Sequence, residues 1–362
     1  MPKVIFLGDM HIGARNASPI VADFQIRFFE EILFPYMKKN NITQILQFGD
    51  VFDTRKFSNH VILHKWKIRV FDYMLNNDII MSVILGNHDT ASKNTLKVNT
   101  PSLLLAEYEN INIVDRPKNI TYCGAKLKEL FSGFELVNIL CVPWVCQDNR
   151  EEIEELVKTT DAIYCAGHFE FDGFEMHRGQ KAVGGYSTKE YEKFDMVFSG
   201  HFHTRSRQNN IQYLGTPYEM SWIDYCDTKG FHVFDTAKHS VEFIENPLTL
   251  FNRIEYNDKE TSPQIDVSLL KDTYVKVVAI NKDDAVKFDS FINNILLVNP
   301  ADLKIVDIET DFTNIETDDT IDISDTKALM ESFVTQIETN LEKPKLTDML
   351  NSLYVQALEI CE

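Results

Sequence analysis

Five short signatures of acid, amide and histidine residues stand along the chain, and each directly follows an apolar run. They are Asp9-Met10-His11, Gly49-Asp50, Gly86-Asn87-His88-Asp89, Gly167-His168 and Gly200-His201-Phe202-His203. The preceding runs, such as Val4 to Leu7, have the length and composition of strands buried on both faces. Because the carboxyl ends of neighbouring strands lie along one edge of a layered α/β protein, we expect the side chains to converge in a crevice.

These side chains form a donor set for metal ions, with carboxylate or amide oxygens, imidazole nitrogens and no thiolate. The set comprises Asp9, His11, Asp50, Asn87, His168, His201 and His203. Such donors suit Mn²⁺, Fe or Zn²⁺, and we expect Mn²⁺. The period-two spacing within Asp9-x-His11 and within His201-x-His203 puts both members of each pair on the same side of an extended segment.

A lone carboxylate such as Asp50 is able to bridge two cations about 3.5–4 Å apart, the separation used for in-line displacement at phosphorus. Water then serves as the nucleophile, so no protein nucleophile is required. The sequence accordingly contains no G-x-S-x-G elbow, no P-loop and no Rossmann fingerprint. The pattern predicts a two-metal phosphoesterase site.

Each signature taken singly has a less specific explanation. A D-x-H or a G-D after an apolar run arises often by chance, and a lone histidine at a strand end is more often a core or surface residue than a ligand. The five signatures occur together, however, and take up five of the ten histidines. Their joint occurrence favours the metal site.

The series DMH, GDVFD, GNHD, GHFEF and GHFH resembles the calcineurin-like metallophosphoesterase superfamily, over residues 1 to about 245. Narrower features are similar to one branch, the SbcD-type nuclease subunit of DNA double-strand-break repair complexes, in the version carried by tailed phages for recombination. These features are KVIFLGDMHIG, GDVFDTR, GNHD and YLGTPYEMSW at 213–222. The resemblance implies an α/β fold, a two-sheet metallophosphoesterase sandwich with flanking helices, followed by a small α+β capping domain and a C-terminal helix pair.

The resemblance also implies roles for single residues. One metal would be held by Asp9, His11, Asp50 and His203, and the other by Asp50, Asn87, His168 and His201, with Asp50 as the bridge. His88 would stand over the scissile phosphate, where it stabilises charge or protonates the leaving oxygen, and Asp53 would orient it. The alternative for Asp53 is a cap on the helix predicted over 59–75.

Composition is that of a globular protein of two or three domains, with 362 residues, 44% hydrophobic and 25% charged. No apolar run approaches the ~20 residues of a membrane span, and the first residues lead directly into a predicted strand, so we expect no signal peptide. The cysteines are dispersed, mostly in apolar strands, so we expect reduced core residues and a cytoplasmic location, the host cytoplasm if the protein is phage-encoded. They are Cys123, Cys141, Cys146, Cys165, Cys226 and Cys361.

The net charge of −19 is unusual for a protein that would bind DNA. Residues 246–362 contain 10 Lys and Arg against 23 Asp and Glu, and so carry 13 of the 19 negative charges. Basic residues follow the motifs at the predicted catalytic edge, and we expect this group to contact DNA phosphates, although ordinary solvated loop charge is the alternative for each one. They are Arg15, Arg55, Lys56, Arg178, Lys181, Arg205 and Arg207.

Past residue 245 the pattern changes. Residues 246–308 read as a small unit with strands over 251–256, 274–280 and 302–308 and a helix over 283–295. An acidic linker follows at 309–323, and two amphipathic helices are predicted within 324–362, separated by Pro344. The helix pair either binds a partner or packs on its own chain.

Partners follow from the resemblance. It implies that the capping domain helps to hold DNA, that residues 324–362 bind the coiled-coil base of an SbcC-type ATPase, and that the chain forms a homodimer through helices of the nuclease domain. Residues of the 59–75 helix would contribute to the dimer, or equally to an intramolecular core face. They are Val61, Ile62, Trp66, Val70, Phe71 and Met74.

Three functions are compatible with the sequence. The favoured one is a Mn²⁺-dependent DNA nuclease, a 3′→5′ exonuclease and single-strand endonuclease, controlled by an ATPase partner. The second keeps both metals but acts on a phosphoprotein, a cyclic nucleotide or a small phosphodiester. The third is a metal-free scaffold, which the full complement of seven competent ligands disfavours.

Overall fold

The computed structural model describes residues 3–122, 137–177, 180–182, 184–259 and 265–307, together with Val334 and Lys343. The chain divides into two compact units. The first comprises Met1–Asn252, Ser268–Val275 and Val298–Asp302, and the second comprises Arg253–Val267, Lys276–Leu297 and the described residues from Leu303 onward.

The first unit contains two six-stranded sheets. The strand order in sheet one is β16-β15-β1-β2-β3-β6, and β1, β2, β3 and β6 run parallel while β15 and β16 are antiparallel. Their bounds are Lys3–Leu7 (β1), Gln44–Gln47 (β2), Ile80–Ile84 (β3), Ile111–Val114 (β6), Gly230–Asp235 (β15) and Ser240–Glu245 (β16). The predicted runs before the first three signatures are therefore strands.

Sheet two has the order β13-β14-β12-β9-β8-β7, with β8, β9, β12 and β14 parallel. Its strands are Lys118–Tyr122 (β7), Val137–Val142 (β8), Tyr164–Gly167 (β9), Met196–Ser199 (β12), Ser206–Gln208 (β13) and Ile211–Tyr213 (β14). Two hairpins complete the unit, Thr90–Ser92 (β4) with Thr95–Asn99 (β5), and Glu175–His177 (β10) with Gln180–Lys181 (β11). The remaining two signatures follow β9 and β12.

The two sheets pack face to face through side chains that alternate along each strand. In β1, Val4 and Phe6 enter the layer between the sheets, whereas Ile5 and Leu7 face the opposite side. The Phe6 ring lies 5.1 Å from Phe198 of the second sheet, measured between centroids. This sandwich confirms the α/β two-sheet fold that the sequence predicted.

Helices cover the outer faces of the sandwich. Those on sheet one form a continuous apolar cluster with the strands, and α7 packs against sheet two. The helices are Pro19–Arg27 (α2), Phe34–Asn40 (α3), His60–Trp66 (α4), Asp72–Asn76 (α5), Thr100–Leu104 (α6) and Arg150–Thr159 (α7). They are preceded by Ala14–Ala17 (α1), a single turn in which the last three residues are left-handed. Phe28–Leu33 and Lys67–Phe71 are π-helical segments that join α2 to α3 and α4 to α5.

The chain is helical over the predicted range 59–75, but the prediction that this helix contributes dimer contacts is wrong for five of its six candidate residues. Ile62, Trp66, Val70, Phe71 and Met74 are buried in the sheet-one cluster, so they form the intramolecular core face that was the alternative. Among the six, Val61 alone is exposed, at 66%. The apolar stripe of the helix is therefore buried against the chain's own core.

Among its described residues, the second unit contains helix α8 and a three-stranded sheet of order β17-β18-β19, apart from the first one or two residues of each strand, which belong to the first unit. The bounds are Phe251–Asn257 (β17), Tyr274–Asn281 (β18), Ala285–Leu297 (α8) and Asp302–Asp307 (β19). The predicted order of strand, strand, helix and strand is confirmed. The acidic linker at 309–323 lies outside the described residues, as does the helix pair of 324–362 apart from Val334, which is helical and buried, and Lys343.

The structure bears on two further expectations. No helix among the described residues is both long and apolar enough to cross a membrane. Cys141, Cys146 and Cys165 are buried free thiols and Cys226 is an exposed one. Cys123 and Cys361 lie outside the described residues.

Replacing Phe6 tests the contact between the two sheets. We expect Phe6→Ala to lower the free energy of unfolding by about 3–5 kcal/mol, because it opens a cavity where rings from both sheets meet. Phe57→Ala is the matched control, since Phe57 is 82% exposed and should change stability by less than about 0.5 kcal/mol. Urea unfolding followed by circular dichroism measures both, and equal effects of the two substitutions would contradict this packing.

Candidate metal centre

The predicted ligands meet at the carboxyl ends of strands from both sheets. Sheet one supplies the residues after β1, β2 and β3, and sheet two supplies those after β9 and β12. The sandwich brings the carboxyl ends of the two sets of strands together, so the crevice is built from two edges and not from one. Their side chains form two clusters.

The first cluster consists of Asp9, His11 and His203. The Nε2 atoms of His11 and His203 lie 3.1 Å apart, and His203 Nε2 lies 4.0 Å from Asp9 Oδ2. Asp9 and His11 are buried. The Asp9 carboxylate also accepts hydrogen bonds from the backbone N–H of His201, at 3.0 and 3.2 Å, which links this cluster to the next loop.

The second cluster consists of Asp50, His168 and His201. His168 Nε2 lies 3.3 Å from Asp50 Oδ2 and 3.0 Å from Asn87 Oδ1. His201 Nδ1 lies at the same distance, 3.0 Å, from Asn87 Oδ1. The structure therefore brings Asn87 to this cluster, as the resemblance implied.

Asp50 stands between the two clusters. Its Oδ2 atom lies 3.3 Å from His168 Nε2 and 3.9 Å from His11 Nε2, so one oxygen faces an imidazole of each cluster. Its Oδ1 atom accepts a hydrogen bond of 2.8 Å from the backbone N–H of His88. This is the placement required of a bridging carboxylate.

Three of these residues adopt a left-handed backbone conformation. The φ angles are 45° at His11, 53° at Asp50 and 85° at His201, a region that residues other than glycine seldom occupy. Such residues cost about 1–3 kcal/mol each and persist where the surrounding structure fixes them. Here the backbone carbonyl of Asp50 accepts hydrogen bonds from the N–H groups of Met10 and His11, at 3.0 and 2.9 Å.

Close packing of the loops explains two of the glycines in the signatures. Gly49 has φ 98°, and a Cβ there would overlap the His168 ring. A Cβ at Gly86 would overlap the Asp50 side chain and backbone. Larger residues at either position would displace a ligand.

Burial dominates the electrostatics. It raises the pKa of the Asp9 carboxyl to about 7, against the opposing field of His168. It also disfavours the charged forms of Asp50 and His168, but their mutual attraction holds the pKa of Asp50 well below its usual range and raises that of His168 to about 9. Burial and the neighbouring His168 lower the pKa of His201 to about 3. The site packs carboxylates and imidazoles tightly in a volume shielded from water.

The donor set fits two divalent cations. Facing ligand atoms lie 3.0–4.0 Å apart, within the range from roughly 3 Å between adjacent ligands to roughly 4.2 Å between opposite ligands of a cation bound at about 2.1 Å. His168 Nδ1 donates to the Phe48 carbonyl at 2.7 Å, which leaves Nε2 with its lone pair toward the cluster. The mixture of nitrogen and oxygen donors suits transition-metal ions.

His88 lies beside the first cluster, with its ring 5.1 Å from that of His11. Its Nδ1 atom lies 2.6 Å from the backbone carbonyl of Asp53, so Nδ1 carries the proton and Nε2 is left for other contacts. The Asp53 carboxylate instead lies 3.3 Å from His11 Nδ1. The capping alternative for Asp53 is wrong, because Asn59 caps the following helix by accepting from the N–H groups of Val61 and Ile62.

Those predicted phosphate contacts that the structure describes have different neighbours. Arg55 lies at the site, where its Nε donates to the Asn87 carbonyl at 2.8 Å, and the adjoining Lys56 is exposed. The Arg15 guanidinium lies over the rings of Tyr274 and Phe251, 4.6 and 5.6 Å from their centroids.

Arg205 and Arg207 are on or beside the edge strand β13. Arg205 lies over the Phe243 ring, and Arg207 donates to the Asn209 carbonyl and to Met196 Sδ. Arg178 lies outside the described residues, and for Lys181 only the backbone, in β11, is described.

Sequence reasoning missed residues that hold the loops in place. The buried Asp89 carboxylate accepts from the N–H groups of Gly86 and Phe52, at 2.9 and 3.1 Å, and so ties two signatures together. The buried Gln25 amide donates to the carbonyls of Met10 and His11. Asp89 was visible as the last residue of GNHD, whereas Gln25 gave no signal beyond being polar in an apolar helix.

Two further side chains support the site from outside the signatures. Lys229, buried and paired with Asp224 and Asp227, donates to the His203 carbonyl at 3.0 Å. The ring of Trp144 lies 5.3 Å from that of His201. Neither could be linked to the ligands without knowing which loops meet.

Comparison with known proteins agrees with this geometry. The sequence profile of the calcineurin-like phosphoesterase family matches residues 2–205. Exonuclease subunit 1 of Enterobacteria phage T4 is 31% identical over 362 residues, which cover 99% of this chain and 100% of the relative.

Among solved structures, one described as a novel archaeal phosphodiesterase aligns with 67% of this chain and 99% of its own, at 12% identity and a TM-score of 0.32. That similarity is too low to support an argument. The profile match and the full-length relative are sufficient without it: the chain belongs to the calcineurin-like phosphoesterase family.

Proposed function

We propose that the protein is a Mn²⁺-dependent DNA nuclease, with 3′→5′ exonuclease and single-strand endonuclease activity. The observation that carries the proposal is the position of Asp50 between two clusters of carboxylate and imidazole ligands. The relative named as an exonuclease subunit supports a nuclease over a phosphatase for proteins or small phosphoesters.

In this proposal each cluster holds one metal and Asp50 serves both. Asp9, His11 and His203 would hold one ion, and Asn87, His168 and His201 the other. Bound there, the ions supply Lewis acidity, neutralising charge on the phosphoryl oxygens and lowering the pKa of a coordinated water. The side chains of Asp89 and Gln25 hold the ligand loops in place through hydrogen bonds to the backbone of those loops.

His88 is the residue we assign to the scissile phosphate. Its Nδ1–H donates to the Asp53 carbonyl and its backbone N–H donates to Asp50, so the imidazole is fixed and Nε2 is presented to a substrate. When protonated at both ring nitrogens, His88 would stabilise charge on a phosphoryl oxygen through Nε2–H or give that proton to the leaving oxygen. Asp53 acts as a positioning residue, through its carbonyl toward His88 and through its carboxylate toward His11.

The other parts of the chain receive supporting roles. Arg55 and Lys56, which adjoin Asp53, are our leading candidates for DNA phosphate contacts. We propose that residues 246–308 form a capping domain that helps to hold DNA, and that residues 324–362 bind a coiled-coil ATPase of SbcC type. A homodimer in the cytoplasm completes the proposal, with the exposed face of α4 around Val61 as a candidate surface.

Metal binding tests the bridging role of Asp50. Isothermal titration with Mn²⁺ should give two ions per chain for the wild type. Asp50→Asn should weaken binding at both positions by at least about tenfold, because the amide lacks the charge that two cations share. Asp289→Asn, in the exposed face of α8, should bind as the wild type does, and loss of a single ion in Asp50→Asn would contradict the bridge.

Substitution of His88 tests the catalytic assignment. We expect His88→Gln to retain Mn²⁺ binding and to lower cleavage of end-labelled linear DNA by about 10²–10⁴-fold, the usual contribution of a positioned acid or base. The exposed His64→Gln is the control. Reactions with Mn²⁺, Mg²⁺ or EDTA, alongside a phosphopeptide and a chromogenic phosphodiester, test the proposed substrate. Full activity of His88→Gln would contradict the catalytic assignment of His88. A preference for the phosphopeptide over DNA would contradict the proposed nuclease function.

Truncation tests the C-terminal element. Deletion of residues 324–362 should abolish co-purification with the ATPase partner while leaving metal-dependent cleavage by the isolated chain intact. Size-exclusion chromatography of the mixed proteins reads out the first result and a gel assay on labelled DNA the second. Retained association after the deletion would assign the ATPase contact to another part of the chain.

A further inference from the structure

A cleft of about 530 Å³ lies next to the second cluster of the metal centre. It is formed where the chain leaves β8 and enters α7, with walls that include Lys93, Trp144, Arg150 and Tyr186. The Trp144 ring that lines the cleft also contacts the ring of the ligand His201, at 5.3 Å, and that of His168, at 6.0 Å. A group bound in the cleft would therefore lie one aromatic ring away from the reacting phosphate.

Trp144 is held firmly. Its indole Nε1–H donates to the Lys93 carbonyl at 3.3 Å, its backbone N–H donates to the Leu85 carbonyl at 2.8 Å, and its own carbonyl accepts from the Asn149 side chain at 3.0 Å. Leu85 directly precedes Gly86, so the backbone of Trp144 is anchored to the loop that carries Asn87. A fixed ring loses little conformational entropy when a flat ligand stacks on it.

Tyr186 and Arg150 form another part of the lining of the cleft. The Arg150 guanidinium lies over the Tyr186 ring, 5.0 Å from its centroid, and its Nη2 donates to the Tyr186 hydroxyl at 3.2 Å. That hydroxyl in turn donates to the Val145 carbonyl at 3.2 Å. The cleft thus combines two ordered aromatic rings with two cations, Lys93 and Arg150.

This combination fits an unpaired nucleobase with its adjoining phosphate. Every base has a π face, and aromatic side chains bind single strands by stacking, while Lys and Arg follow the backbone. Among the described residues that line the cleft, the cations Lys93 and Arg150 outnumber the single acid Glu151. Double-stranded DNA keeps its bases stacked inside the duplex and cannot present one to Trp144.

We propose that the cleft is a nucleobase subsite, in which Trp144 stacks on an unpaired base next to the scissile phosphate and Arg150 contacts the neighbouring phosphate. The proposal rests on the proposed nuclease function and specifies its substrate, a strand whose terminal or flanking base is unstacked from a duplex. Trp144 and Arg150 are assigned to DNA binding alone, and catalysis stays with the proposed metal ligands and His88.

A cycle of protein and DNA changes tests the stacking. The full-length chain carrying His88→Gln, with Mn²⁺, binds fluorescent single-stranded oligonucleotides in which one abasic residue is moved stepwise along the strand. We expect an abasic residue at one or two positions to weaken binding by about 5- to 150-fold, equivalent to about 1–3 kcal/mol per base. Trp144→Leu should cause the same loss on the intact strand, and the abasic residue should then cause no further loss.

The cycle separates stacking from damage to the metal centre. If Trp144→Leu disturbed His201 instead, the losses from the protein and DNA changes would multiply, and the inference would be overturned. Trp144→Phe, which keeps an aromatic face, should recover binding to within about threefold of the parent. Trp222→Leu is the matched control, because Trp222 packs on Phe251 away from the cleft, and it should bind as the parent does.

Arg150 supplies an independent measurement. Arg150→Gln should reduce the slope of log affinity against log salt by about 0.7, the value for one phosphate contact to a single strand, whereas Lys158→Gln, in the last turn of α7, should not. An unchanged slope would remove the phosphate contact from the proposal. Binding by the parent that is indifferent to both Trp144 and the abasic residue overturns the subsite alone, whereas a parent that binds no DNA overturns the nuclease as well.

Discussion

The rest of the site depends on the contacts that Asp50 makes through its backbone and its side chain. Its backbone carbonyl fixes the loop that carries His11, its Oδ1 atom fixes the backbone of His88, and its Oδ2 atom faces an imidazole of each cluster. All of this requires a left-handed conformation at Asp50 beside Gly49. The cost of that conformation is offset because five hydrogen-bonding and ionic contacts converge on one residue.

The sandwich explains how those contacts become possible. Three ligand loops belong to one sheet and two to the other, and the aromatic layer around Phe6 holds the sheets at a fixed spacing. Helices on the outer faces bury the remaining apolar sides of the strands, so the loops rest on rigid elements. The precision of the donor distances is thus a property of the core as much as of the site.

Much of this arrangement was accessible from the sequence because the signatures coincide with strand ends. Apolar runs of three to seven residues predicted the strands after which each predicted ligand emerges, and the seven predicted ligands lie in two adjoining clusters. Periodicity could not tell whether one sheet or two carries them, since that depends on contacts remote in sequence. It also could not decide whether the stripe of Ile62, Trp66 and Val70 faces a core or a partner, because both environments select the same residues. For Asp53, the type of side chain was misleading, since the backbone carbonyl, which every residue has, orients His88.

The contacts of the turn Ala14–Ala17 (α1) limit where the nuclease domain can be truncated for expression. Arg15, Asn16 and Ala17 are all left-handed, and the Arg15 guanidinium is seated on Phe251 and Tyr274. The buried Glu219 accepts the N–H groups of Leu250 and Phe251. An expression boundary at residue 245 would remove both rings from Arg15, which lies four residues after His11. It would also leave the buried Glu219 carboxylate without the two N–H groups that donate to it. The excised fragment would retain every predicted metal ligand but lose these contacts of Arg15 and Glu219, so a minimal catalytic domain has to extend through Tyr274.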